Sequence, residues 1–200
     1  FRSGLFPEQA QNWDWIANQI KELNGYKPNV LNMFGYTGAS TLAAAAKGAN
    51  VTHLDASKTS VTWARKNLES SGLTDCSVRW IVDDAEKFLQ REYRRNRKYD
   101  ALIMDPPSFG RGPKGEVWNI ENQMTTLLAL CKNILSESPK FILLTTHSPG
   151  ISSLSLKNML IKFLVSPDSG RFQTGDMSIY DTGSGLQLPN GFYARFSANP

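Results

Sequence analysis

Val30-Leu31-Asn32-Met33-Phe34-Gly35-Tyr36-Thr37-Gly38 is a short apolar run that breaks on two glycines, and the way the chain continues from it decides the fold. The Ala-rich stretch Ser40 to Lys47 reads as a helix stopped by Gly48, and Val51-Thr52-His53-Leu54 reads as a second strand ending at Asp55. Two buried strands joined through a helix make a parallel unit, because parallel neighbours need a crossover connection. The alternation continues downstream. A helix opens at Ser57 or Lys58, carries Val61, Ala64 and Leu68, and closes near Gly72. Strands are expected at Val78 to Val82, Ala101 to Met104 and Phe141 to Thr145. Helices are expected at Ala85 to Tyr93, Glu116 to Leu135 and around Leu154 to Leu164. Upstream, Trp13, Ile16, Ile20 and Leu23 recur at helical spacing between Pro7 and Gly25. Phe172 to Tyr180 and Phe192 to Ser197 close the chain as two strands with no helical pattern between them, so one strand should run antiparallel. The fold class is therefore α/β: a Rossmann-like, doubly wound, mostly parallel seven-stranded sheet with one antiparallel strand near the C-terminus.

With 200 residues, the sequence suits a single domain over 1–200, in which 1–28 form a helical lead-in. The 40% hydrophobic content argues against disorder and supplies a core without disulfides or structural metal. No apolar run approaches the roughly 20 residues of a membrane span, so no membrane partner is expected. Two Cys and two His form no close cluster, so no metal site is expected either. Distant cysteines suit a reducing, intracellular compartment. The cytoplasm is the expectation, with a mitochondrion or other organelle as the alternative. The sequence opens at Phe1 rather than Met, which leaves room for a missing targeting segment or N-terminal domain. A net charge of +4 permits an acidic partner without demanding one.

Ligands of open parallel sheets bind beyond the carboxyl ends of the strands, and four candidate sites fall at such ends. The first is Phe34-Gly35-Tyr36-Thr37-Gly38, where glycine lets backbone pass close to a ligand, unless the loop is an ordinary strand-to-helix turn. It lacks the G-x-G-x-x-G pattern of dinucleotide sites, which argues against a nicotinamide-dependent oxidoreductase. Asp55 at the second strand end has a carboxylate able to accept from both ribose hydroxyls, or to cap the helix beginning at Lys58, with Ser57 open to either role. Asp83 and Asp84 follow the third strand. Asp84 is preferred as the acceptor for an adenine amino group, with helix capping as its alternative. The fourth is Asp105-Pro106-Pro107-Ser108-Phe109, where two prolines remove amide donors and leave an acceptor-rich rim. Phe109 could stack on a planar base there, or be buried in a rigid loop.

With these four sites in order, the chain resembles the class I S-adenosylmethionine-dependent methyltransferases, and within them the large-subunit (23S-type) ribosomal RNA methyltransferase branch. The matching stretches are Leu31 to Gly38, Thr52-His53-Leu54-Asp55-Ala56-Ser57, Trp80-Ile81-Val82-Asp83-Asp84, and Tyr99 through Asp105-Pro106-Pro107-Ser108-Phe109 to Gly112. Gly4-Leu5-Phe6-Pro7-Glu8-Gln9 also looks familial. The resemblance implies S-adenosyl-L-methionine as cofactor. Phe34, Gly35, Tyr36, Thr37 and Gly38 would take its methionine part, Asp55, Ala56 and Ser57 its ribose, and Asp84 with the Ala85 amide its adenine. Asp105, Pro106, Pro107 and Phe109 would face the methyl group and the target base. Asn32 departs from the acidic residue many of these enzymes carry near the methionine amine, and Glu8 is the acid available to compensate, with Gln9 a second contact.

The residues also bear on which atom would be methylated. C5 methylation of a pyrimidine needs a nucleophilic Cys, and the segment Thr145-Thr146-His147-Ser148 after the fifth strand has none. Cys76 and Cys131 read as structural thiols. Transfer to a base nitrogen needs only alignment, with Asp105 positioning the base or accepting a proton. His147 would assist, or simply be hydrogen-bonded at a strand end. Arg91, Arg94, Arg95, Arg97 and Lys98 fall at the opposite end of the sheet, whereas Arg111 and Lys114 are placed to touch substrate phosphates. The expected partner is RNA, ribosomal or within a pre-ribosomal particle. The competing reading is a ribosome-assembly or RNA-binding factor that keeps the methyltransferase fold without turnover.

Overall fold

In β1 (Asn29–Met33) the side chains alternate between two faces, and this alternation divides the core. Leu31 and Met33 pack with Leu102, Met104, Ile142 and Leu144 in one apolar cluster, and Val30 packs with Val51, Ala101, Ile103, Phe141 and Leu143 in the other. Helices cover both faces. On the Val30 side lie α1 (Ala10–Lys21), through Ile16 and Ile20, and α2 (Ala39–Ala45). On the Leu31 side lie α4 (Ala85–Arg94), α5 (Ile120–Ile134) and α6 (Ser153–Phe163). The computed structural model describes residues 4–199.

The remaining strands are β2 (Asn50–Asp55), β3 (Val78–Val82), β4 (Ala101–Met104), β5 (Phe109–Arg111), β6 (Val117–Asn119), β7 (Phe141–Thr146), β8 (Gly170–Tyr180) and β9 (Gln187–Ala198). Seven of them form one sheet in the order β3-β2-β1-β4-β7-β9-β8. The pairs from β3 to β7 are parallel, and β9 runs antiparallel to both β7 and β8, so the expected architecture holds. The chain leaves β1 outward to β2 and β3, then returns on the other side at β4. The order therefore reverses between β1 and β4, and a crevice opens at their carboxyl ends.

Two local expectations need correction. The helix expected from Glu116 begins only at Ile120. Val117–Asn119 instead pairs with Phe109–Arg111 in a small hairpin. The Trp118 indole N–H donates to the Pro107 carbonyl at 2.6 Å, and this contact fastens the hairpin to the prolines. The last two strands are also longer than the sequence suggests, because β9 takes in Pro189. β7 ends at Thr146, opposite Phe192, so beyond that point β9 has no neighbour on the β7 side and the missing proline N–H costs no ladder bond. Residues 187–191 of β9, with their partners on β8, thus extend beyond the carboxyl end of β7.

Candidate active site

Asp55, at the end of β2, anchors the loop after β1. Its carboxylate accepts from the Tyr36 N–H at 2.9 Å and from the Ser57 N–H at 2.8 Å. Phe34 and Tyr36 take left-handed backbone angles, φ 58° and 47°, which are costly for residues with a Cβ. The bond to Asp55 helps hold Tyr36 there. Burial pushes the Asp55 carboxyl upward, while the Ser57 and Tyr36 amides pull it down.

The two loop glycines are required by the protein itself, not only by a ligand. A Cβ on Gly35 would stand 2.5 Å from Cε1 of His53, the residue on β2 beneath the loop, and 3.2 Å from Asn32 Nδ2. Gly38 has φ 94° at the start of α2, and a Cβ there would meet the Ala64 Cβ of α3 (Lys58–Ser70) at 2.9 Å. Gly35→Ala is expected to cost about 1–3 kcal/mol, the usual range for overpacking. His53→Ala should recover part of that loss in a double-mutant cycle read by chemical denaturation. Strictly additive losses would contradict this contact.

His53 is fully buried. Its Nδ1 lies 2.8 Å from Thr41 Oγ1, and Thr41 also accepts from Asn32 Nδ2 at 2.8 Å. Burial lowers its pKa from 6.5 to about 4, against an opposing backbone contact with Tyr36. The unfolded chain therefore takes up this proton first as pH falls. The neutral ring's contribution to stability is complete above pH 6.5 and is lost toward pH 4. Against His53→Asn, the native chain should lose on the order of 3 kcal/mol more across that window, from the conversion of pKa shift to free energy. Parallel stability–pH curves for the two proteins would refute the assignment.

Asp105 follows β4 across the crevice. Its Oδ1 accepts from Thr145 Oγ1 at 2.6 Å and its Oδ2 from Gln9 Nε2 at 3.2 Å, with His147 Nδ1 3.7 Å from Oδ1. Burial raises its pKa, and His147, Thr145 and Gln9 oppose the rise. Phe34, Gly35, Tyr36, Thr37 and Gly38 line one cleft with Asp105, so the structure brings the first and fourth candidate sites together. The rest of the cleft comes from Asn32 of β1, Ala39 and Ser40 of α2, and the lead-in residues Leu5, Phe6, Gln9 and Trp13. Phe6 packs on Tyr36 and His147 with ring centroids 5.6 and 5.7 Å apart, and Thr37 donates to the Gly4 carbonyl. The Trp13 indole N–H is buried in this wall without a partner among the described residues.

Other sequence candidates sit differently. Asp84 caps α4 by accepting from the Lys87 N–H at 3.0 Å, with Ala85 as the first helical residue, and Asp83 is ion-paired with Arg91. Ser57 caps α3, its hydroxyl accepting from the Ser60 N–H at 3.2 Å, with Ala56 between it and Asp55. Both capping alternatives are thus realised. The acceptor rim at the prolines is narrower than expected: Trp118 occupies the Pro107 carbonyl and the Ile120 N–H the Ser108 carbonyl, while Pro106 is buried. Phe109 is 57% exposed on the hairpin rather than buried, and Arg111 and Lys114 are exposed beside it. Glu8 is buried and does not line the cleft, its Oε1 accepting from Asn190 Nδ2 at 2.6 Å and lying 3.1 Å from His147 Nε2. It is Gln9, not Glu8, that enters the cleft wall. Cys131 is fully buried with its thiol pushed up by burial, the state of an inert thiol, and Cys76 precedes β3 at the other end of the sheet.

The geometry agrees with the chain's resemblances. The sequence profile of the family described as Conserved hypothetical protein 95 matches residues 9–144. The crystal structure of the SAM dependent methyltransferase from Agrobacterium tumefaciens superimposes with a TM-score of 0.90 at 38% identity, covering 98% of this chain and 64% of that one. Ribosomal RNA large subunit methyltransferase I of Aeromonas salmonicida is 31% identical over 97% of this chain and 48% of its own length. Ribosomal RNA large subunit methyltransferase K/L of Shewanella frigidimarina is 31% identical over 70% of this chain and 19% of its own. The chain thus spans about half or less of these two curated relatives.

Proposed function

The chain belongs to the family described as Conserved hypothetical protein 95 and has the class I methyltransferase fold, and from that premise we propose an S-adenosyl-L-methionine-dependent methyltransferase acting on a base nitrogen of ribosomal RNA. One observation carries the reading: the Gly35 loop and Asp105, at the carboxyl ends of the two strands flanking the sheet's switch point, line a single cleft, and Asp55 holds the Tyr36 amide of that loop. The residues present fit the cofactor. Trp13 offers a buried N–H, unpartnered among the described residues, for its carboxylate, and Asp55 retains acceptor capacity for its ribose. Asp84 and Ala85 stand at the next strand end for the adenine.

When bound, the cofactor supplies an electrophilic methyl carbon on its sulfonium. Asp105 receives a hydrogen bond or a proton from the attacking nitrogen, and Phe109 stacks on the base. The buried, unreactive state of Cys131 supports transfer without a covalent cysteine intermediate. The similarity to two ribosomal RNA methyltransferases supports the substrate class. Calorimetric titration of S-adenosyl-L-methionine into the folded chain should show saturable binding at one site, and a flat titration would remove the basis of this reading.

Arg111 and Lys114 flank the exposed Phe109 hairpin, whereas Arg95 is paired with Glu92 at 3.6 Å and Lys98 donates to the Asn133 carbonyl. Arg111→Ala with Lys114→Ala should weaken RNA binding by more than Arg94→Ala with Arg95→Ala, and should lower the salt slope by about two. Equal or reversed losses in a salt-controlled binding assay would displace the RNA path from the hairpin.

A further inference from the structure

We propose that Arg195, Asn12 and Gln9 form a one-way hydrogen-bond relay that turns the Gln9 amide N–H toward Asp105 and so keeps Asp105 an acceptor. The inference rests on the proposed placement of Asp105 at the transfer centre. Arg195 lies on β9, in register with Leu143 of β7, and is 8% exposed. Its guanidinium stacks over Tyr193 and Trp15, 4.2 and 5.4 Å from the ring centroids, and it has no carboxylate partner among the described residues. Nε and Nη2 instead donate to Asn12 Oδ1 at 2.9 and 2.7 Å.

The direction of the chain follows from elementary donor chemistry. A guanidinium has donors only, so the Asn12 atom facing it must be the carbonyl oxygen. Asn12 Nδ2 then points the other way, donating to Gln9 Oε1 at 2.6 Å and approaching Met177 Sδ at 3.4 Å. With its oxygen taken, Gln9 can present only Nε2 to Asp105 Oδ2 at 3.2 Å and to Thr145 Oγ1 at 3.3 Å. Thr145 spends its single proton on Asp105 Oδ1 at 2.6 Å. Both carboxylate oxygens thus meet donors. The other titratable groups facing Asp105 are His147 and Glu8, at the end of β7 and in the lead-in. Asn12 and Gln9 are almost wholly buried, which shields these bonds from competing water. The relay makes Asn12 and Gln9 positioning residues and gives the unpaired Arg195 a reason to be buried.

Asn12→Asp separates this role from simple packing. The new carboxylate keeps its bonds to Arg195 and gains a charge partner there, but it cannot donate to Gln9. The Gln9 amide must then invert and turn Oε1 toward Asp105. In protein labelled with ¹³C at the aspartate carboxyl, with the Asp105 signal assigned by Asp105→Asn, the Asp105 titration midpoint should rise by at least one pH unit in Asn12→Asp. Thermal stability should be unchanged or higher. Gln9→Met, which removes the donor without adding charge, should shift the midpoint the same way and serves if the first variant does not fold. Unchanged midpoints would overturn the relay. This readout needs neither cofactor nor RNA, so its failure is distinct from failure of the proposed activity. If activity is present, the acid limb of the kcat/KM profile should move with the midpoint.

Discussion

Asp105→Asn is expected to lower methyl transfer by about 10²–10⁴-fold, the range for loss of a positioned acid–base group, while leaving cofactor affinity within a few-fold of the native chain. The substitution keeps shape and can still accept from Thr145 with one oxygen, so the effect reports the loss of the carboxylate charge together with its bond from Gln9. Gln9 Nε2 would then face an amide in place of a carboxylate oxygen. Burial raises the Asp105 carboxyl, which makes it a stronger proton acceptor than a solvated aspartate. Activity of the native chain should accordingly fall as pH drops through that raised value, because only the ionised form accepts. Initial rates at saturating RNA and cofactor, with affinity measured separately by calorimetry, test the split. A variant with near-native kcat would remove Asp105 from the centre.

Asp55→Ala should abolish measurable cofactor binding. Hydrogen bonds to a charged acceptor contribute about 1.5–3 kcal/mol each, and two ribose hydroxyls would lose theirs together. The same carboxylate also holds the Tyr36 N–H, and with it the left-handed loop that lines the cleft. Affinity should therefore fall by more than about 100-fold, the factor two such bonds supply. Asp55→Asn keeps one acceptor oxygen and should lose less. Native-like binding by Asp55→Ala would place the ribose elsewhere.

The alternation of apolar strands and helices makes the sheet legible from the amino-acid order alone, and with it the strand ends where Asp55 and Asp105 stand. Local spacing also finds the caps: Ser57 and Asp84 occupy the positions their residue types favour. The reasons behind the glycines are not legible, because the atoms that exclude a side chain at Gly35 and Gly38 belong to His53 and Ala64, far along the chain. The β5–β6 hairpin is hidden for a similar cause. Val117 and Trp118 continue a helical pattern, and it is broken by the bond from Trp118 to the Pro107 carbonyl. Nor can spacing reveal that Gln9, Trp13 and Arg195 converge on one site. Gln9 meets Asp105 across 96 residues, and Asn12 meets Arg195 across 183. The second pairing exists only once β9 has closed on β7.

The most direct test of the proposed activity is transfer of an isotope-labelled methyl group from S-adenosyl-L-methionine to unmodified ribosomal RNA, followed by digestion and mass identification of the labelled nucleoside. The expected product is one N-methylated base, formed by the native chain and not by Asp105→Asn. A folded chain that binds cofactor yet leaves RNA unlabelled, or that labels a ring carbon or a ribose oxygen, would contradict it.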